Sequence, residues 1–412
     1  MTDSAPSYDL KAKVTISIAF SLLALSFATR SSLGLGMQRW ITEFGWSRSE
    51  ISATGSVAML FMALIVSIAG YVADRFGPRF ILAGGTALLA VSLMFIASMQ
   101  SYWQLFFGYG VLGGICFGLI SLPVAGSLVA RHVSSRQGLA MGITTSGSTG
   151  GQLLILPTLA ALFPIIGWRY SFACMALIAL AIAAISFRGL ASTSTGTQRA
   201  RTRSTLRFRY LLFSPTFHGL FWSFLLCGFT STGIVETHLI PFAEICGFTP
   251  FAGSMAYGVF AFFNLFGMLS AGYLSDRMDR RVLLVSIYAV RSAAFFIPMM
   301  VGTDYTLLLA FAVVVGIAFY ATFPATIGLS AAHFGSENIG FVVGLLTVGH
   351  AIGAAAGAFL GGYIYDLFLT YDWIWILSVA LAATSALFAM LVKDPRATRD
   401  DLPGEPKPAA AR

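Results

Sequence analysis

The stretch GYVADRFGPR at residues 70–79 recurs 202 residues later as GYLSDRMDRR at residues 272–281. The same offset aligns glycines in two other regions of the chain: Gly45 with Gly247, and Gly142, Gly147 and Gly151 with Gly344, Gly349 and Gly353. Agreement at one offset in three separated regions indicates an internal repeat of about half the chain. We therefore predict two homologous halves that share one architecture.

The composition places both halves in a membrane. Of 412 residues, 57% are hydrophobic and only 10% are charged, whereas a soluble globular protein has about 25% charged residues. The chain contains twelve apolar runs, and a bilayer core about 30 Å thick requires roughly 20 residues for each helical crossing. We predict an all-α polytopic membrane protein with six transmembrane helices in residues 1–188 and six in residues 215–392.

Positive charge sets the predicted orientation. With both termini inside, all but five of the 25 Lys and Arg residues fall in cytoplasmic segments, as the positive-inside rule requires. The exceptions are Arg39, Arg48 and Arg169 in outer loops and Arg30 and Arg291 within spans. The Arg-rich segment 189–214 is typical of a cytoplasmic linker, and residues 393–412 of a disordered cytoplasmic tail. We expect a multi-pass protein of the cell (inner) membrane and no nucleic-acid partner for its net charge of +8.

The duplicated motif has a counterpart in a known family. It resembles the G-x-x-x-D-R-x-G-R-R/K signature of the major facilitator superfamily, so the resemblance implies a transporter fold with alternating access between two halves. It also implies that Asp74, Arg75, Asp276 and Arg277 tie neighbouring cytoplasmic helix ends and act as a gate. Ordinary loop charges would explain the arginines but not the duplicated Asp-Arg pair.

Further motifs resemble the bacterial monocarboxylate and oxalate/formate branch of that superfamily. They are FGWSRSEIS at 44–52, THLIPFA at 237–243, GHAIG at 349–353 and GGYIYD at 361–366. Members of the branch often carry an arginine in the eighth helix, four residues after an Asp or Asn, that meets the substrate carboxylate. That spacing falls here on Asn264 and Met268, so the usual anion anchor is missing from its usual place.

Two arginines fall inside predicted spans, where a charge costs at least about 2.5 kcal/mol and needs a partner or a wet cavity. Arg30 lies in the first span, which lines the central cavity in the fold that this chain resembles. We favour carboxylate capture by its planar guanidinium over snorkelling to the outer interface. Arg291 lies near the middle of the ninth span, where contact with substrate and a structural role against helix carbonyls both stay open.

Neutral polar groups and histidines complete the predicted sites. His350, near the centre of the eleventh span, can exchange a proton near neutral pH or hydrogen-bond across helices. Polar groups at midplane depth can orient a carboxylate or bridge helices. The predicted substrate-binding residues are Arg30, Gln152, Asn264, Arg291, Tyr320 and His350. The candidates for proton coupling are His350, Glu236 and His238, although the position of the last two near the predicted end of the seventh span, 215–240, favours wetted vestibule residues.

The charges inside the spans favour an anionic substrate, because the spans contain two arginines and a histidine but only one glutamate, which lies near a span end. A cation exporter would need carboxylates at midplane, and none is predicted there. No motif typical of an enzyme, metal site or cofactor site occurs. We predict a secondary transporter of a small organic anion, a monocarboxylate or related carboxylate, coupled to protons. A carboxylate exchanger, an exporter of other small molecules and a membrane sensor that does not transport stay open. The expected partners of this monomer are the anion, a proton and membrane lipid.

Overall fold

The computed structural model describes residues 10–133, 136–190, 208–335 and 338–395. Most of the predicted linker and tail lies outside these ranges. Twelve membrane helices run through the described part, in the order α1 (Leu10–Phe44), α2 (Arg48–Phe76), α3 (Pro78–Ala97), α4 (Tyr102–His132), α5 (137–166), α6 (168–189), α7 (Pro215–Ile245), α8 (Pro250–Arg277), α9 (Arg280–Met300), α10 (Tyr305–Phe334), α11 (Ile339–Phe368) and α12 (Asp372–Met390).

The helices α5 and α6 form a single apolar stretch of 53 residues, Gln137–Gly189. At 1.5 Å per residue this stretch would be about 80 Å long, far more than one bilayer crossing needs. Gly167 has φ +81° and ψ 156°, a conformation that glycine adopts without steric cost, and the chain turns there. The stretch therefore holds two crossings, so the eleven apolar stretches of the described part give twelve helices.

The repeat is visible in the backbone as well as in the sequence. Gly45 and Gly247, which precede α2 and α8, have φ values of +70° and +87°. Gly151 of α5 lies so close to α1, and Gly353 of α11 so close to α7, that a Cβ atom at either position would overlap a backbone carbonyl oxygen. Small residues permit this close approach of helices in a membrane. The glycines aligned in the sequence thus perform the same packing in both halves.

Local capping fixes where α2 and α8 begin. Ser47 Oγ accepts a hydrogen bond from the Glu50 N–H at 3.2 Å, and the Glu50 carboxylate accepts one from the Ser47 N–H at 2.8 Å. Before α8, Thr249 Oγ1 accepts from the Ala252 N–H at 3.2 Å, and Pro250 occupies the first helical position. Both arrangements satisfy amides that the first helical turn leaves without a partner.

The two halves meet along three helix pairs: α1 with α7, α2 with α11, and α5 with α8. The repeat exchanges the last two pairs, since α8 is the counterpart of α2 and α11 that of α5. Halves of this kind are related by an axis along the membrane normal. We call the last two contacts the α2–α11 seam and the α5–α8 seam.

The α2–α11 seam is closed at the end where α2 begins. The Asp366 carboxylate of α11 accepts hydrogen bonds from the Arg48 N–H at 3.1 Å and from the Ser49 N–H at 2.8 Å. The Arg48 guanidinium lies 4.3 Å from the centre of the Tyr365 ring. Asp366 thus caps the N-terminus of α2 from the opposite half, where a negative charge is favoured by the helix dipole. We call this contact the Asp366 cap.

The α5–α8 seam has no such cap. The positions 202 residues from Asp366 and Arg48 are Pro164 and Pro250. Pro250 has no N–H to donate and Pro164 has no carboxylate to accept. This seam is instead packed closely in its middle, where Gly258 of α8 lies against α5. Within the described residues, the pseudo-symmetric scaffold therefore shows a cross-half cap on the α2–α11 seam and none on the α5–α8 seam.

The residues predicted to form a gate lie at the opposite end, where α2 and α8 finish. Arg75 Nη1 lies 3.3 Å from the hydroxyl of the tyrosine one turn earlier, and the Arg277 guanidinium lies 4.0 Å from the centre of the equivalent tyrosine ring. Asp276 and Arg277 are exposed, and the Asp74 side chain lies outside the described part. A tie between neighbouring helix ends through these residues stays a prediction.

Candidate functional site

A cavity of about 180 Å³ lies between the halves. Its walls come from α1, α2, α7, α10 and α11. The contributions of α2, at 59–66, and of α11, at 347–354, lie near the middle of each helix and several turns away from Arg48 and Asp366. The cavity therefore lies at about the mid-depth of the helices, away from the Asp366 cap. A concave, largely apolar space with few polar groups is typical of a small-molecule site.

Arg30 of α1 lies in the cavity wall and forms an ion pair with Glu236 of α7. Its Nη2 donates to Glu236 Oε1 at 2.8 Å, and the two side chains are 12% and 6% exposed. Within the described residues, Arg30 Nε and Glu236 Oε2 have no hydrogen-bond partner. Because α1 and α7 belong to different halves, this buried pair joins the halves beside the cavity.

A polar cluster adjoins the ion pair. Gln152 Nε2 of α5 donates to Ser31 Oγ at 3.1 Å and lies 3.4 Å from Tyr257 Oη of α8, while Ser31 Oγ and Tyr257 Oη are 2.9 Å apart. Tyr109 of α4 donates to the Arg30 carbonyl oxygen at 2.6 Å. Gln152 therefore connects the halves next to Arg30, and Tyr109 holds the turn of α1 that presents the guanidinium.

Glu236 and His238 are buried, with 7% and 0% exposure, so the interpretation of both as wetted vestibule residues is wrong. The predicted end of the seventh span at 240 falls short of the observed end at Ile245. A π-helical segment, Phe229–Val235, also precedes Glu236, and such segments are frequent at functional sites. The premise that the interior lacks a carboxylate is wrong as well, although Arg30 balances the charge of Glu236.

His238 is held inside the C-terminal half and does not line the cavity. Its Nε2 lies 2.9 Å from the Ala358 carbonyl oxygen, which can only accept, so Nε2 carries the hydrogen. Its Nδ1 then accepts from the Tyr371 hydroxyl at 3.2 Å. Burial raises the pKa of Tyr371, which therefore stays protonated and able to donate. A neutral imidazole with both nitrogens satisfied favours a structural role for His238.

Arg291 is fully buried and is not part of the cavity wall. Its Nη2 donates to the carbonyl oxygens of Ala318 and Phe319, the latter at 2.8 Å, and its Nη1 lies 2.9 Å from Cys227 Sγ. These carbonyls are available because α10 is interrupted immediately afterwards, at Tyr320. The geometry thus favours the structural alternative for Arg291.

The same interruption of α10 explains why a polar side chain, that of Asn264, is buried at this depth of α8. Its Oδ1 accepts from the Tyr320 N–H at 3.0 Å, an amide that the broken helix leaves without its usual partner. Tyr320 in turn lines the cavity, and its phenol faces Arg30. Asn264 therefore holds the backbone of Tyr320 and is not itself among the residues that line the cavity.

His350 lies in the cavity wall, with its ring centre 4.7 Å from that of Phe224. Of the six predicted substrate-binding residues, the structure brings three into the wall: Arg30, Tyr320 and His350. Gln152 and Asn264 adjoin these three through hydrogen bonds, and Arg291 lies apart.

Sequence reasoning missed several neighbours of Arg30. Tyr257 precedes Asn264 by seven residues, two turns of one helix face, and this spacing was a usable signal. Ser31 gave none, because serine is common in membrane helices. Met62, whose Sδ lies 3.9 Å from Arg30 Nη1, also gave none, because methionine in an apolar helix is indistinguishable from core filling.

A family model described as the Major Facilitator Superfamily matches residues 19–290 and 239–412 of the chain. The uncharacterised MFS-type transporter YcxA of Bacillus subtilis is 25% identical over 365 residues, which cover 85% of this chain and 87% of that protein. Monocarboxylate transporter 11 of Mus musculus is 25% identical over 369 residues, which cover 86% of this chain and 81% of that protein.

Among solved structures, the fold resembles that of a bacterial homologue of the human lysosomal transporter Spinster in an inward-facing, occupied conformation. The TM-score is 0.75 at 18% sequence identity, and the match covers 94% of this chain and 97% of that one. Together with the family model, this likeness confirms the predicted architecture of two six-helix halves.

Proposed function

Because this chain belongs to the major facilitator superfamily of membrane transporters, we propose that it carries a small organic carboxylate across the membrane, coupled to a proton. The observation that carries the proposal is the buried Arg30–Glu236 pair, which joins the two halves beside the cavity. Transport proceeds by alternating access, with the halves parting at one end while they close at the other. The likeness to a monocarboxylate transporter supports the substrate class.

In the proposed orientation, both termini lie in the cytoplasm of the cell and the Asp366 cap lies outside. The described conformation is then closed to the outside at the Asp366 cap, and the cavity lies at about the mid-depth of the membrane. Asp74, Arg75, Asp276 and Arg277 lie at the cytoplasmic end, where they would hold the halves together in the opposite conformation.

Arg30 is proposed as the anchor for the substrate carboxylate. A guanidinium binds a carboxylate through two parallel hydrogen bonds and keeps its charge at every physiological pH. In the described conformation Glu236 occupies one of its amino groups, so a carboxylate already fits this position. A substrate carboxylate at Arg30 would replace that of Glu236.

Glu236 is proposed as the proton acceptor. Once the substrate takes over Arg30, an ionised Glu236 would be an unpaired charge in the protein interior, which is strongly unfavourable. Protonation of Glu236 removes this charge, so carboxylate and proton bind together. His350 faces the same cavity and is the second candidate for the proton.

Purified protein in proteoliposomes tests the proposal. We expect a pH gradient that is acidic outside the vesicles to drive uptake of a labelled monocarboxylate into them. Arg30→Gln should reduce flux about 30-fold or more, because truncating one partner of a buried charge pair costs roughly 2–5 kcal/mol. Arg169→Gln is the matched control, since Arg169 pairs with Glu43 at an exposed position. The proposal would be contradicted if the labelled monocarboxylate showed no flux, or if its flux in Arg30→Gln equalled that of the parent protein.

A further inference from the structure

We infer that the substrate carries one negative charge and an apolar tail, and that dicarboxylates and polyhydroxylated acids are poor ligands. The inference rests on the proposed function and narrows it to a substrate class. It follows from three properties of the cavity: the number of its charges, the chemistry of its walls and the state of its hydroxyl groups.

The cavity offers one permanent charge. Among its sixteen described lining residues, Arg30 is the one Lys, Arg, Asp or Glu. A second substrate carboxylate would have to leave water without a matching cation, and no interaction in the cavity would offset its desolvation free energy. One carboxylate is therefore the charge that this site can balance.

The walls are mainly apolar. Nine of the sixteen lining residues are Ala, Val, Met or Phe. From α2 these are Met59, Met62, Ala63 and Val66, which follow one another at helical spacing and form a continuous strip that passes Arg30 at Met62. Methionine adapts its shape to irregular apolar groups. A ligand held by Arg30 therefore places the rest of its body against hydrocarbon and thioether surface.

Five residues of the wall carry a hydroxyl group, and three of these groups are already engaged as donors, which leaves Thr232 and Tyr320. Ser231, Thr322 and Thr347 each donate to a backbone carbonyl of their own helix, a common arrangement for these residues within helices. Their protons are consequently not free for the hydroxyl oxygens of a sugar acid. Burial of substrate hydroxyls without partners is unfavourable, so the cavity selects against such substrates.

A ligand series on the purified parent protein tests the inference, with dissociation constants measured by competition binding. We expect hexanoate to bind more tightly than propanoate, by roughly fourfold for each methylene that becomes buried, and 3-phenylpropanoate more tightly still. Succinate and gluconate should bind more weakly than propanoate at neutral and at acidic pH. The amide 3-phenylpropanamide should not bind, because it has no charge for Arg30.

One variant fills the cavity where the tail is expected. Val66 lies one turn from Met62 on the cavity strip, so Val66→Phe should weaken 3-phenylpropanoate binding by about tenfold, the effect of an overpacked site. Propanoate binding should stay within about twofold of the parent value. Val91→Phe is the matched control, because Val91 lies exposed on α3.

The outcomes distinguish failure of the inferred substrate class from failure of the proposed carboxylate transport. Tightest binding by succinate or gluconate, no effect of tail length, or an equal effect of Val66→Phe on all acids would overturn the inference and leave carboxylate transport intact. If none of the acids binds, the proposed function fails and the inference fails with it.

Discussion

The two arginines inside the membrane look alike in sequence and differ in their surroundings. Arg30 lies between the halves, lines the cavity and pairs with a carboxylate of the opposite half. Arg291 is fully buried within the C-terminal half, where its partners are carbonyl oxygens of the broken helix α10 and the Cys227 sulfur. We therefore expect a membrane arginine to serve function when its partner lies across the interface between the halves, and structure when its partners lie within one half.

The largest expected effect is loss of folding stability in Arg291→Gln. The shorter amide cannot reach both carbonyl groups, and each lost hydrogen bond from a charged group costs about 1.5–3 kcal/mol. Thermal unfolding of the purified protein should show a clearly lower midpoint than that of Arg30→Gln. Arg291→Lys, which keeps the charge, should recover part of the loss. Parental stability with selective loss of substrate binding would assign Arg291 to the site.

The second prediction separates the stability of the Arg30–Glu236 pair from its function. Arg30→Gln leaves Glu236 buried without a counter-charge, so Arg30→Gln should be less stable than the double variant Arg30→Gln/Glu236→Gln. The double variant should regain thermal stability and still lack transport, as measured on the same preparations. If removal of Glu236 restored flux, Arg30 would not be the anion anchor.

The third prediction concerns the pH dependence of substrate binding. A proton on Glu236 releases Arg30, so the parent should bind a monocarboxylate more tightly as the pH falls. Glu236→Gln imitates the protonated state and should bind with an affinity that does not change with pH and that equals the parent's acidic limit. Titration calorimetry at two pH values provides the measurement, with Glu43→Gln as control. Unchanged pH dependence in Glu236→Gln would move the proton to another group, with His350 as the first candidate.

The smallest effect is expected at the Asp366 cap. Asp366→Ala removes the acceptor of two amides, and loss of a helix cap costs about 0.5–2 kcal/mol. It should shift the population toward conformations open at this end, seen as faster labelling of a cysteine introduced at Ser52, which is buried in the described conformation. Asp372→Ala, at the exposed start of α12, is the matched control. Equal labelling of parent and Asp366→Ala would show that the cap does not hold this end closed.

Much of the architecture could be predicted because its signals are regular. Apolar runs, the positive-inside bias and the glycines at one offset all repeat along the chain, so each supports the others. The position of Glu236 could not be predicted, because its depth depends on where α7 ends and on the π-helical segment Phe229–Val235, and neither leaves a periodic trace in the sequence. The pairing with Arg30 depends on how two halves meet across 206 residues of sequence.

The site residues divide along the same line. Tyr320 and His350 are predicted site residues because they are polar groups near midplane depth, and Arg30 because it is a charge within a span. These criteria select for burial and not for direction. Arg291 is buried within a span as well, but its side chain points into its own half. Asn264 also lies at midplane depth, but its side chain accepts a hydrogen bond from the backbone where α10 is interrupted. Direction depends on helix rotation and on neighbouring backbone breaks, which a single sequence encodes weakly.

The Asp366 cap also determines which substitutions this end of the molecule tolerates. Its two donors are main-chain amides, so every residue type except proline at positions 48 and 49 can supply them. Substitutions other than proline at these positions therefore keep both amide donors, while position 366 requires a side chain that accepts hydrogen bonds. Proline at position 48 would remove one donor and recreate the situation at Pro250 of the other half. A single substitution would thus make the two seams more alike than they are now.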